Sequence, residues 1–318
     1  MATSLIKKIN RLKKEKNAII LAHYYQNKEV QDIADFIGDS LALSQKAEKN
    51  DADIILFAGV KFMAETAKIL SPQKKVLLPD MEAGCSLADS CKAEDFEIFL
   101  EKNPGRTVIS YVNTTAEIKA LSDVTCTSSN AIEIVNSFPK NQKLIFGPDR
   151  NLGNYVLEKT GRDILIWNGA CHVHDDFSAD SILQLKREYK GAKVLVHPEC
   201  KQEIRELADI IGSTAALLNY TSESPASIFI VATEPGIIYQ MEKKNPNKVY
   251  LPVKSNKSCS GNFECDCNEC EYMKLITLEK IYNCLLNETP EILMEESLIK
   301  EAYKPIKKML DICENIKK

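Results

Sequence analysis

The chain repeats itself three times, and that constrains its fold more than any other feature. Ala22–Ser40 (AHYYQNKEVQDIADFIGDS) aligns without a gap on Val196–Thr214 (VHPECKQEIRELADIIGST), a shift of 174 residues. Leu56–Pro79 aligns on Ile230–Val253 at the same shift. A third copy lies 88 residues on from the first, with Tyr111–Ser128 as its first half and Leu144–Trp167 as its second. A repeat of this length is a whole folding unit. Within each copy, continuous apolar runs alternate with helical stripes, the pattern of a parallel sheet covered on both faces. The expected fold is α/β: three repeated α/β/α modules with short parallel sheets around a pseudo-threefold axis, divided at 1–92, 93–180 and 181–318.

Strands are expected at Ala18–His23, Ile54–Ala58 and Lys75–Pro79, then at Val124–Cys126, Leu144–Gly147 and Asp163–Trp167. The third copy offers Lys193–His197, Ala215–Leu218, Ser227–Ala232 and Lys248–Pro252. Val30, Ile33, Ala34 and Ile37 read as one helical stripe, repeated by Ile204, Leu207, Ala208 and Ile211. Lys254–Cys270 breaks the pattern, being polar and rich in cysteine. Thr277–Asn287 and Glu291–Lys317 read as closing helices.

A net charge of −4 gives no bulk attraction to nucleic acid or to an anionic membrane. The basic N-terminus has Leu and Ile at helical spacing but no continuous apolar core, so a surface helix is expected rather than a signal peptide. No apolar run approaches the length of a membrane span. Eleven cysteines without a secretory signal point to a reducing cytoplasm. An odd, irregularly spaced set there means metal or redox chemistry alongside plain core thiols.

Ligands of parallel α/β sheets sit outside the carboxyl ends of the strands. The residues just past the first strand of each module are His23-Tyr24-Tyr25, Tyr111-Val112-Asn113 and His197-Pro198-Glu199. Tyr25, Asn113 and Glu199 are repeat-equivalent, and so are Ser40, Ser128 and Thr214. Three hydroxyls at equivalent turns suit an anion such as phosphate or carboxylate, because they donate hydrogen bonds without burying a charge. The plainer alternative is that they are helix N-caps. His23 and His197 are either satisfied buried histidines or, as an equivalent pair, ligand contacts or proton carriers.

Cysteines follow the same logic. Cys85 lies beyond the last strand of module one and Cys171 beyond that of module two. Module three ends in a loop holding Cys259, Cys265, Cys267 and Cys270. One thiolate per module would make a three-cysteine site on the axis. Such a site around an iron–sulfur cluster leaves one iron open to substrate. A small zinc knuckle on Cys267 and Cys270 is the alternative. The gap-free repeat register points to Cys259 as the third thiolate. Cys91, Cys126, Cys200, Cys284 and Cys313 are expected to be ordinary buried thiols.

With these residues the chain resembles the quinolinate synthase family over nearly its full length. The resemblance rests on His23-Tyr-Tyr-Gln, Gly38-Asp-Ser40-Leu, Phe62-Met-Ala-Glu-Thr-Ala-Lys68 and Ala83-Gly-Cys85-Ser-Leu-Ala-Asp89. It continues through Tyr111-Val-Asn113-Thr, Cys126-Thr-Ser128-Ser-Asn130, Gly169-Ala-Cys171-His-Val-His174 and His197-Pro-Glu-Cys200. Gly212-Ser-Thr214, Ala232-Thr-Glu-Pro-Gly236 and Cys270-Glu-Tyr-Met-Lys before Thr277-Leu-Glu-Lys complete it. What the resemblance implies is condensation of iminoaspartate with dihydroxyacetone phosphate to quinolinate, phosphate and two waters, on the route to NAD. It also implies a [4Fe-4S] cluster as Lewis acid, held by Cys85, Cys171 and Cys270 with one open iron site. The family pattern thereby prefers Cys270 to Cys259. Tyr25 and Glu199 become the acid–base pair, with His174 working close to the iron. Ser40, Ser128, Thr214, His23 and His197 become anion clamps, while Tyr111 and Asn113 orient substrate. An aspartate oxidase or dehydrogenase that makes iminoaspartate is the implied functional partner. The rival readings are an iron–sulfur electron carrier, which wants four cysteines and no polar cavity, and a zinc-stabilised scaffold.

Overall fold

The computed structural model describes residues 2–255 and 268–316, and in it twelve strands form three separate four-stranded sheets. The first sheet is built from β1 (Ala18–His23), β2 (Phe36–Gly38), β3 (Ile54–Ala58) and β4 (Lys75–Leu77). The second contains β5 (Thr107–Tyr111), β6 (Val124–Cys126), β7 (Leu144–Gly147) and β8 (Ile164–Ile166). The third contains β9 (Lys193–Val196), β10 (Ile210–Ile211), β11 (Ile228–Ala232) and β12 (Val249–Pro252). The order is the same each time: β2-β1-β3-β4, β6-β5-β7-β8 and β10-β9-β11-β12. Every pairing is parallel. The three copies are therefore one topology used three times, an α/β fold of repeated modules.

One contact repeats with the sheets. Asp35, Asp123 and Asp209 occupy equivalent positions ahead of the short second strand. Each carboxylate accepts a hydrogen bond from the first strand, from the N–H of Ile20 (2.8 Å), Val108 (2.8 Å) and Val194 (2.9 Å). Each aspartate N–H returns a bond of 2.9 Å to the carbonyl of the same strand residue. The carboxylate thus satisfies a strand donor just where the second strand has yet to begin. Asp123→Ala and Asp209→Ala leave that N–H unpaired. Each is expected to cost about 1–3 kcal/mol in chemical denaturation. A loss well under that range would mean water replaces the carboxylate.

Two sequence expectations give way here. Ala215–Leu218 is not a strand; it lies inside the helix Thr214–Glu223. Ala and Leu are good helix formers, and the Ser213 side chain caps the helix by accepting from the Ala216 N–H at 3.3 Å. The strand position is filled instead by the two β-branched residues Ile210 and Ile211. The helical stripe is likewise shorter than its apolar spacing suggests. The helices stop at Ile33 and Arg205, and Ile37 and Ile211 belong to β2 and β10.

The closing segment returns to the earlier modules. The helix Leu278–Asn287 buries Ile281 and Leu285 in the core that also holds β1 and β3. The last helix, Glu296–Ile316, buries Ala302, Ile306 and Met309 against β6 and the rest of the second module's core. It starts later than expected because residues 290–292 run beside β4, where Leu78 N–H meets the Pro290 carbonyl and Ile292 N–H meets that of Val76. No helix among the described residues is long and apolar enough to cross a membrane.

Candidate active site

The first strands of the three sheets end at a common cavity. His23 and Tyr25 reach it from β1, Tyr111 and Asn113 from β5, and His197 and Glu199 from β9. Ser40, Ser128 and Thr214 line it from the second turn of each module. Cys85, Cys171, Cys270 and His174 complete the wall. All thirteen candidate residues read from the sequence are thus brought together, and three equivalent strand ends meeting at one point is what a pseudo-threefold arrangement requires.

The three cysteines share a local geometry that the sequence does not reveal. Each is the N-cap of a four-residue helix: Cys85 before Ser86–Asp89, Cys171 before His172–Asp175 and Cys270 before Glu271–Lys274. The backbone amides near each thiol, at Ala88, His174 and Met273, pull its pKa down, although none of the three side chains makes a capping hydrogen bond. Helix N-terminal amides favour a thiolate. Burial nevertheless pushes Cys85 up to about 12 and Cys270 up to about 11, and raises Cys171 well above the ordinary thiol range. Mutual repulsion among the three adds to this, so they lie close enough to feel one another. Three neighbouring, partly buried thiols at helix N-termini suit a cationic, thiolate-binding centre, which displaces their protons. The rim ties the helices together: Ser86 Oγ and His172 Nδ1 lie 2.6 Å apart, and the His172 ring meets Tyr272 edge-on at 6.1 Å.

Cys91, Cys126, Cys200, Cys284 and Cys313 are buried, away from this arrangement. All eight described cysteines are free thiols. Cys259, Cys265 and Cys267, and with them the repeat-register alternative and the zinc knuckle, lie outside the described residues.

Beside the thiols runs a buried hydrogen-bonded chain. The Tyr25 hydroxyl sits 2.8 Å from both Thr214 Oγ1 and Thr233 Oγ1. Thr233 Oγ1 is 2.9 Å from His174 Nε2. His174 Nδ1 is 3.0 Å from Glu199 Oε2 and 3.4 Å from Cys171 Sγ. The other Glu199 oxygen accepts from the Tyr111 hydroxyl. Tyr25 and Glu199 are therefore linked through Thr233 and His174 rather than bonded directly. Burial pushes the Tyr25 phenol well above its usual range, so it keeps its proton. Burial works the same way on Glu199. His174 and the Tyr111 hydroxyl outweigh it and hold the carboxyl below its usual range, so it stays ionised.

His23 and His197 are matched in detail. The N–H of Tyr25 donates to His23 Nδ1 at 3.2 Å, and that of Glu199 to His197 Nδ1 at 3.4 Å. Burial lowers both imidazoles to about 3, so both are neutral near pH 7. With Nδ1 accepting, each ring carries its proton on Nε2 as an uncharged donor.

The hydroxyls are not the helix caps. Asp39 and Ser213 cap the helices beginning at Ser40 and Thr214, and Ser128 precedes the Asn130 cap of Ala131–Asn136. Their side chains are left for the cavity or, for Thr214, for Tyr25. Asn113 Oδ1 is buried with no hydrogen-bond partner among the described residues, an acceptor facing nothing but the site. Sequence reasoning missed Thr233 and Glu234, which follow β11. Strand register matches Ala58, Gly147 and Ala232, so their equivalents are Gly59 and Val60, and Pro148 and Asp149. Thr233 has no hydroxyl counterpart, and the ungapped shift sets Pro148 rather than Asp149 opposite Glu234, so a search for matched chemistry passes over both; inspecting the end of every strand would have found them.

The family model described as Quinolinate synthetase A protein (NadA) matches residues 7–311. The quinolinate synthase of Synechocystis sp. is 57% identical over 306 residues, covering 96% of this chain and 94% of the relative. That of Trichodesmium erythraeum is 55% identical over 308 residues, covering 97% and 94%. That of Chloroherpeton thalassium is 54% identical over 308 residues, again covering 97% and 94%. The chain belongs to the quinolinate synthase family, an iron–sulfur-dependent enzyme family of NAD biosynthesis.

Proposed function

We propose that the shared cavity condenses iminoaspartate with dihydroxyacetone phosphate to quinolinate, phosphate and two waters, around a [4Fe-4S] cluster on Cys85, Cys171 and Cys270. The observation that carries this reading is the set of three cysteines. Each caps a short helix and all face the cavity where the three modules meet. When bound, such a cluster supplies one iron without a protein ligand, a Lewis acid for a departing hydroxide.

The chain's own residues supply binding and proton transfer. His23 and His197 offer uncharged Nε2–H donors, and Ser40 and Ser128 offer hydroxyls, so anionic groups are held without a buried countercharge. Asn113 Oδ1 accepts from the substrate. Ionised Glu199 takes a proton, and protonated Tyr25 gives one to a leaving oxygen. The chain Glu199–His174–Thr233–Tyr25 lets the proton taken at one end be restored at the other. Tyr111 holds the carboxylate in place.

Ser40→Ala and Ser128→Ala should raise KM, by roughly 1–3 kcal/mol per lost hydrogen bond to a charged oxygen, and leave kcat near its starting value. Equal losses in kcat and kcat/KM would instead mean these hydroxyls act only in the transition state. Metal analysis after anaerobic purification separates the rival readings. Iron and sulfide near four each support the cluster, whereas a single zinc supports a scaffold. A supply of iminoaspartate implies an aspartate oxidase or dehydrogenase upstream. A reducing cytoplasm is the compartment in which the free thiols described here persist.

A further inference from the structure

Two of the three cysteines are held by their own backbone as well as by their helices. The N–H of Cys171 donates to Asp149 Oδ2 at 3.3 Å, and the N–H of Cys270 donates to Glu234 Oε1 at 3.4 Å. Both acceptors are fully buried carboxylates just beyond the third strand of their sheet, β7 and β11. The same device has been built twice from different residues.

At Cys270 it extends further. Glu234 Oε2 accepts from the Gly236 N–H at 2.7 Å. Glu234 Oε1 also takes the Lys274 ammonium at 2.8 Å, and Lys274 donates to the Tyr25 carbonyl at 2.8 Å. Lys274 is the last residue of the short helix that Cys270 caps. The backbone around this pair has no slack. A Cβ on Gly236 would lie 2.8 Å from Glu234 Oε2 and 2.8 Å from the backbone carbon of Tyr25. One ion pair, its carboxylate fully buried, therefore fastens three segments to each other: the strand end bearing Tyr25, the turn after β11, and the helix bearing Cys270.

We propose that Glu234 and Lys274 are positioning residues that lock the third cysteine of the cluster site to the segment carrying Tyr25. The proposal rests on the reading of Cys270 as a cluster ligand. Without the lock the chain still supplies three thiols, but Cys270 loses the acceptor that fixes its backbone. A cluster held there should then release iron more readily. Removing both charges together avoids an uncompensated buried charge, and a variant destabilised away from the site separates loss of folding stability from loss of positioning.

The test uses the reconstituted holoprotein under anaerobic conditions, with the rate of iron capture by a chelator and the visible spectrum as readouts. Glu234→Leu with Lys274→Met removes both charges but leaves the Cys270 and Gly236 N–H groups without their acceptor, so its stability should fall into the range of Asp123→Ala. It should lose iron faster, by about tenfold or more, the scale of one lost hydrogen bond to a charged group. Glu234→Gln is the second variant. Both Glu234 oxygens face N–H donors, so a glutamine must turn its NH2 toward one of them and break that contact. It should also release iron faster than the unaltered protein, and it decides the matter alone should the double variant not fold. Asp123→Ala, destabilised far from the site, should release iron at the starting rate, since general loosening is not the cause. Release at the unaltered rate from both Glu234→Leu/Lys274→Met and Glu234→Gln overturns the proposal, as does equally fast release from Asp123→Ala. A cluster retained intact by Cys270→Ser would overturn the ligand assignment itself, a different failure from that of the lock.

Discussion

Cys85→Ser, Cys171→Ser and Cys270→Ser should each fold and each lose the visible iron–sulfur absorption and nearly all of the bound iron. A hydroxyl at these positions is close to the thiol in shape but is a far poorer ligand for iron than a thiolate. None of the three thiols makes a capping hydrogen bond and serine is a favoured N-cap, so the short helices should survive. Cys259→Ser, Cys265→Ser and Cys267→Ser should keep the cluster. The contrast between Cys259 and Cys270 is the sharpest part of the set. Repeat register alone points to Cys259, while the helix cap, the cavity lining and the Glu234 contact all belong to Cys270. Iron lost from Cys259→Ser but kept by Cys270→Ser would show that the repeat register identifies the ligand.

The second large effect concerns turnover at an intact cluster. Tyr25→Phe removes the hydroxyl that reaches Thr214 and Thr233 and keeps the ring against His23. Glu199→Gln keeps the shape of the carboxylate and cannot take a proton. Each should fold, carry a normal cluster and bind product. Each should slow single-turnover quinolinate formation by about 10²–10⁴-fold, or roughly 3–5 kcal/mol of barrier. Thr233→Val tests the link between them. It interrupts the chain from His174 to Tyr25 without touching either end, so it should lower the rate and leave binding intact. A Tyr25→Phe variant that binds weakly but turns over at the full rate would move the acid role to His174.

Much of this site was legible because repetition puts chemistry in register. Tyr25, Asn113 and Glu199, and Ser40, Ser128 and Thr214, could be chosen as equivalent strand-end and turn residues before any contact was known, and they line one cavity. What stayed hidden was of two kinds. Some elements are too short for any period to register. β10 is two residues long, and the Ala-Ala-Leu-Leu that follows reads as an apolar strand until the Ser213 cap is seen. Other features belong to one module only. Thr233 has Gly59 and Pro148 as counterparts, and the Lys274 ammonium has an Asp at the matching place after Cys85 and Cys171. Symmetry locates what the copies share. Thr233, which closes the hydrogen-bonded chain, and Lys274, which ties Glu234 to the helix of Cys270, are where the third copy departs from the other two.

The most direct test of the account is product formation by the cluster-loaded chain. Protein reconstituted anaerobically with iron and sulfide should convert iminoaspartate and dihydroxyacetone phosphate to quinolinate and phosphate in equal amounts, and Glu199→Gln with the same iron content should form almost none. No quinolinate from the loaded protein, or equal formation by protein carrying zinc in place of the cluster, would contradict it.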